Sequence, residues 1–185
     1  GVRRRVGPPH SRERDRRQDA VRLGTDADGR DAACAQDVAR EEVPRLVDHL
    51  RTVYSRWVEA GFPDEPGQDR VVPYLMPTAG MLDGLPEREP AAVHAAAGRW
   101  CYDTMTLVGP GTYRAARASA DVALTAVDLV LSGVPAAYAA CRPPGHHVTR
   151  DAFGGSCYLN NAAIAAQALR SAGHERVAVI DIDAH

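Results

Sequence analysis

The sequence predicts an α/β fold, a three-layer αβα arrangement with helices on both faces of a parallel sheet. Two runs, 136–141 and 176–182, are apolar without alternation, and an alanine-rich helical segment at 160–169 lies between them. Strand, crossover helix and strand in that order make a βαβ unit, and strands covered on both faces read as continuous apolar runs. Composition agrees: 185 residues, 45% hydrophobic and 25% charged, suit one globular domain better than a disordered or disulfide-stapled chain.

Charge and cysteine content exclude several classes. The 22 basic residues are all arginine and 24 acidic residues offset them, giving a net charge of -2, which argues against a nucleic-acid binder judged on total charge. Cys34, Cys101, Cys141 and Cys157 are too widely spaced for a metal knuckle and too few for a secreted framework, so a reducing cytoplasm is the expected compartment. Three of them suit small core positions; Cys157 is the candidate redox-sensitive thiol. No run reaches the ~18 apolar residues of a membrane span, and the arginine-rich opening lacks the apolar stretch of a signal peptide.

The elements follow in order. Residues 1–30 hold eight arginines by Arg22 with Glu13, Asp15 and Asp19 among them, and lack periodicity; a solvated, disordered tail fits better than a basic arm for nucleic acid or acidic lipid. Over 37–60, Val43, Leu46, Val47, Leu50, Val53, Tyr54 and Trp57 recur at spacings of three and four, an amphipathic helix stopped by Gly61 and Pro63. Residues 71–75 read as a short extended piece and 77–90 as irregular. Gly109-Pro-Gly-Thr112 opens a second long helix, with Thr112 as its N-cap and Gly133 as a left-handed stop. The βαβ unit comes next, its helix ending near Gly173. No internal repeat is present.

Ligands of open α/β sheets gather at the carboxyl ends of strands. Here one predicted strand runs into Cys141-Arg-Pro-Pro-Gly-His-His147 and the other into Asp181-Ile-Asp-Ala-His185. Alternation sends Asp181, Asp183 and His185 to one side, the last two at the rim. Asp183 and His185 can therefore ligate one cation. Oxygen plus nitrogen suits zinc, iron(II) or manganese, and two ligands require a third from elsewhere. Asp181 lies deeper and needs a histidine, an arginine or a cation as partner. Alone, D-x-D-x-H is equally a solvated strand end and a histidine pair is ordinary surface. Together, one crossover apart, they offer a metal site beside imidazoles able to move protons to and from a metal-bound water.

Three stretches carry a family resemblance: Arg142-Pro-Pro-Gly-His-His147, Gly154-Gly-Ser-Cys-Tyr-Leu-Asn-Asn-Ala-Ala-Ile-Ala-Ala166 and Val177-Ala-Val-Ile-Asp-Ile-Asp-Ala-His185. They resemble the histone deacetylase superfamily, in the manner of bacterial class II-like deacetylases and acetylpolyamine amidohydrolases. Tyr102-Asp-Thr-Met-Thr106 and the helix after Gly111 are similar to the segment before R-P-P-G-H-H in that family. The likeness covers 90–185 well, 37–89 loosely and 1–30 not at all. It implies the arginase/deacetylase fold, with 37–185 as the N-terminal part of a single catalytic domain whose other half would follow His185.

The resemblance also implies roles. Asp183 and His185 become two of three ligands to a catalytic Zn2+ (or Fe2+). His146 and His147 become the tandem general acid/base pair, and Asp181 the buried partner that orients His146 and helps bind a structural K+. Asp103 corresponds to the aspartate that hydrogen-bonds substrate backbone, and Gly155 to the glycine whose carbonyl meets the scissile amide N–H. The implied reaction is hydrolysis of an acetamide in acetyl-lysine, acetylated polyamines or small acetylated amines. The implied partner is that substrate, with neither nucleic acid nor membrane, and a homo-oligomer is left open. Ser156 departs from the pattern, standing where the family places an aromatic wall of the acyl channel, so an altered acyl preference is expected. The third zinc ligand and an oxyanion-stabilising tyrosine fall beyond His185 in the family, so the 185 residues alone are expected to bind zinc weakly, to be inactive and to be poorly soluble.

Two other readings compete. Asp183-Ala-His185 also suits a binuclear manganese ureohydrolase of the arginase and agmatinase type, although those enzymes do not resemble R-P-P-G-H-H. A truncated, non-catalytic family member is the other.

Overall fold

The computed structural model describes residues 32–185 apart from Glu87 and Glu89, with side chains described from Pro44 onward except Ala79. The predicted arginine-rich tail at 1–30 lies outside the described residues, as does the side chain of Val43. Five helices are present among the described residues: α1 (Ala32–Glu59), α2 (Ala79–Leu82), α3 (Val93–Trp100), α4 (Thr112–Leu131) and α5 (Asn161–Ser171). A 3-10 turn, Phe62–Asp64, follows α1. None of these helices is long and apolar enough to cross a membrane.

Helix α1 buries the predicted stripe: Leu46, Leu50, Val53 and Trp57 are at most 3% exposed. Each such side chain contributes roughly 1.5–3 kcal/mol relative to exposure. The helix starts at Ala32, earlier than the apolar periodicity, in an alanine-rich stretch of high helix propensity. Gly61, at φ 81°, ends it. Helix α3, absent from the expected elements, supplies buried Val93, Ala97 and Trp100 to the same core. Its N-cap is Ala92, without a side-chain cap, so no punctuation announces it.

Helix α4 packs against α5 and more lightly against α1. Its N-cap is Gly111, not Thr112 as expected. Thr112 is the first helical residue, and its Oγ1 instead accepts the Gly109 amide at 2.8 Å, closing the entry turn. Gly133 and Gly173, both at φ 102°, end α4 and α5. Asn160 caps α5 by accepting the Ala163 amide at 3.0 Å.

The predicted parallel pair is not a hydrogen-bonded ladder among the described residues. Segments 136–141 and 176–182 are extended backbone without assigned strand. A cleft of about 880 Å3 lies between their C-terminal parts and helices α4 and α5. Tyr138, Ile180 and Ile182 line it yet remain 92%, 83% and 93% exposed. The apolar contacts that hold buried parallel strands in register are therefore not made. Of the expected 71–75 piece, only Val71 pairs, in an isolated antiparallel bridge to Val108. A parallel bridge, Cys101 to Phe153, matters more for the site: Phe153 donates to the Trp100 carbonyl at 2.7 Å and Tyr102 donates to the Phe153 carbonyl at 3.1 Å. It lays the 102–106 loop beside the 153–156 loop.

Candidate active site

Both helices of the C-terminal half grip the loop that carries the histidines. Ser119 of α4 donates its hydroxyl to the Pro143 carbonyl at 2.8 Å. Asn161, at the start of α5, donates to Ser119 Oγ at 3.1 Å and to the Pro143 carbonyl at 3.2 Å. Asn160 Nδ2 donates to the Val148 carbonyl at 3.0 Å beyond the histidines. Gly145 passes so close to α5 that a Cβ would lie 2.3 Å from the Leu159 carbonyl oxygen, an approach open only to glycine.

This loop meets the end of the last extended segment. His146 Nδ1 lies 2.8 Å from Asp181 Oδ2, and its Nε2 lies 3.9 Å from Asp183 Oδ2. An ionised carboxylate only accepts, so Nδ1 carries a proton in this bond, and Nε2 is the nitrogen on the side of Asp183. The Asp183 amide, donating to Asp181 Oδ1 at 3.0 Å, and then His146 hold the Asp181 carboxyl below its usual range. Asp181 is not the buried group expected, since its side chain is 53% exposed. Its exposure follows that of the segment carrying it, since the neighbouring Ile180 and Ile182 are also open to solvent.

Asp183 and His185 converge, with His185 Nδ1 2.6 Å from Asp183 Oδ1. The His185 side chain, and then its amide, keep the Asp183 carboxyl below its usual range. One oxygen and one nitrogen donor brought together fit two positions of a zinc or iron(II) site. Among the described residues no group of three or more His, Cys, Asp or Glu is arranged to hold a metal, so the donor chemistry fits and the donor number is two.

His147 packs against His146, ring centroids 4.0 Å apart. Its carbonyl accepts the Tyr102 hydroxyl at 2.8 Å. Gly155, at φ 58°, lies against the His147 ring, where a Cβ would come 2.2 Å from His147 Cδ2. Ser156 follows at φ 63°, exposed, its amide donating to Thr106 Oγ1 at 2.8 Å. Asp103 Oδ1 accepts the Met105 and Thr106 amides at 2.8 and 2.7 Å. Its Oδ2 accepts the Gly155 amide at 2.6 Å and the Thr106 hydroxyl at 2.9 Å. Burial alone would push the Asp103 carboxyl up, but these bonds hold it below its usual range. Cys157 is fully buried and burial pushes its thiol up, which disfavours the thiolate that redox chemistry uses.

Sequence reasoning did not single out Tyr102, Thr106, Ser119, Asn160 or Asn161. Each acts through a partner at least 12 positions away, and only the paired asparagines opening an alanine-rich helix carried a visible signal.

The histone deacetylase domain pattern matches residues 69–185. The chain belongs to the histone deacetylase family. It is 48% identical over 139 residues to an acetylpolyamine amidohydrolase of Burkholderia pseudomallei, covering 74% of this chain and 37% of that protein. It is 36% identical over 139 residues to the acetylpolyamine amidohydrolase of Mycoplana ramosa, covering 75% and 38%. A crystal structure of acetylpolyamine aminohydrolase from Burkholderia pseudomallei superposes with a TM-score of 0.59 at 38% identity, covering 92% of this chain and 48% of that one. That likeness assigns the deacetylase α/β fold although the ladder is not formed here. The chain spans less than half the length of these relatives. Family membership also decides against the ureohydrolase reading.

Proposed function

We propose that the natural protein carrying these residues is a metal-dependent amidohydrolase that removes acetyl groups from acetylated polyamines or related acetylated amines, acetyl-lysine included. The observation that carries this reading is the Asp181–His146 pair at 2.8 Å, with Nε2 3.9 Å from Asp183 Oδ2. Asp183 and His185 would hold Zn2+ (or Fe2+), which when bound polarises an amide carbonyl and makes a water more acidic. Asp181 would also help hold K+.

The chain's own residues divide the remaining work. Asp181 fixes the His146 tautomer, so Nε2 is free to take a proton from the attacking water. A protonated imidazole of the His146–His147 pair then delivers a proton to the departing amine. The Gly155 carbonyl accepts the scissile amide N–H and orients the substrate. The exposed Ser156 leaves one side of the acyl channel open. The printed names of the two curated relatives above support an acetylated polyamine as substrate.

The test is amine release from N-acetylputrescine and from an acetyl-lysine peptide by the natural protein, before and after a chelator. Turnover lost on chelation and restored by Zn2+ or Fe2+ is expected. Turnover that persists after exhaustive metal removal overturns the metal assignment.

A further inference from the structure

We propose that Asp103 and Thr106 are positioning residues that set the face of His147, rather than residues that contact substrate. This rests on the reading of His147 as a proton-transfer group. The argument begins with capacity. An ionised carboxylate offers about four lone-pair sites, and Asp103 accepts four protein donors: the amides of Met105, Thr106 and Gly155 and the Thr106 hydroxyl. Nothing is left to accept a substrate amide.

What those bonds hold is specific. The Thr106 hydroxyl, 2% exposed, donates to Asp103 and accepts the Ser156 amide. Two successive amides, 155 and 156, are thus fixed by one carboxylate–hydroxyl pair 50 or more positions earlier in the chain. Both residues have positive φ, 58° and 63°, a region that the non-glycine Ser156 enters only when its surroundings determine it. The peptide held this way is the wall against which the His147 ring lies. Tyr102, next to Asp103, holds the His147 carbonyl. The 102–106 loop therefore grips His147 from its backbone and, through Gly155, from its ring.

The experiment compares Asp103→Asn, Thr106→Val and Thr106→Ser in the natural protein. Asp103→Asn places an amide donor, or forfeits an acceptor, opposite one set of N–H groups. Thr106→Val keeps shape and removes the hydroxyl, whereas Thr106→Ser keeps the hydroxyl. The first readout is the nuclear Overhauser contact between Gly155 Hα and His147 Hδ2. It is expected in wild type and Thr106→Ser and to be lost in Thr106→Val and Asp103→Asn. The second is N-acetylputrescine hydrolysis: kcat falls about 100-fold, the scale of an ångström-sized misplacement, with KM within threefold, and Thr106→Ser recovers it. An unchanged contact, a loss confined to KM, a Thr106→Ser as damaged as Thr106→Val, or unfolding of both disruptive variants overturns the proposal. Absence of hydrolysis in wild type, with the contact behaving as expected, would instead overturn the enzymatic reading.

Discussion

His146 is oriented by Asp181: the carboxylate accepts a hydrogen bond from Nδ1 at 2.8 Å, which places Nε2 3.9 Å from Asp183 Oδ2. The residue pattern left the partner of Asp181 open among a histidine, an arginine and a cation, and only the family resemblance implied His146. The exposure of Asp181 was not legible in the sequence, since it depends on how closely the segments approach the helices. Ser156 is the residue-scale departure with a chemical consequence. A serine cannot stack on a four-carbon stem, and here it is exposed on a backbone pinned by Thr106. Ser156→Phe is expected to shift selectivity toward acetyl and against bulkier acyl groups in the natural protein, measured as the ratio of kcat/KM for acetyl and butyryl substrates. Identical ratios for the two proteins would remove any role for Ser156 in acyl choice.

At the scale of elements, the long helices declared themselves. The stripe of α1 and the glycine stops of α4 and α5 were read in place, because each depends only on neighbours in the chain. Helix α3 escaped because eight residues between a proline-rich loop and Cys101 carry neither cap nor long period. The strands failed for the opposite reason: a β-branched run can extend itself, but a ladder needs an apolar cover, and Ile180 and Ile182 have none. Helix α5 does double duty, since Asn160 caps it through Oδ1 and holds the Val148 carbonyl through Nδ2. Asn160→Ala is expected to lower stability by about 1–2 kcal/mol, the range for losing an N-cap with one further hydrogen bond. Asn160→Asp keeps the cap and loses only the donor, so it should cost less. Urea denaturation of the natural protein reads both, and equal stability of Asn160→Ala and wild type would contradict the capping role.

For the whole molecule, membership of the histone deacetylase family goes with a chain that leaves Tyr138, Ile180 and Ile182 open to solvent. The 185-residue chain is expected to self-associate through these side chains; a monodisperse monomer in analytical ultracentrifugation would contradict that expectation. The central claim is that His146 and His147 perform proton transfer beside Asp183 and His185 in an amide hydrolase. Its most direct test is the kcat for amine release from N-acetylputrescine by the natural protein and its His146→Ala and His147→Ala variants. Falls of about 100- to 10,000-fold, the range for a lost general acid or base, are expected in folded, metal-loaded protein. A wild-type rate in either variant would contradict the account.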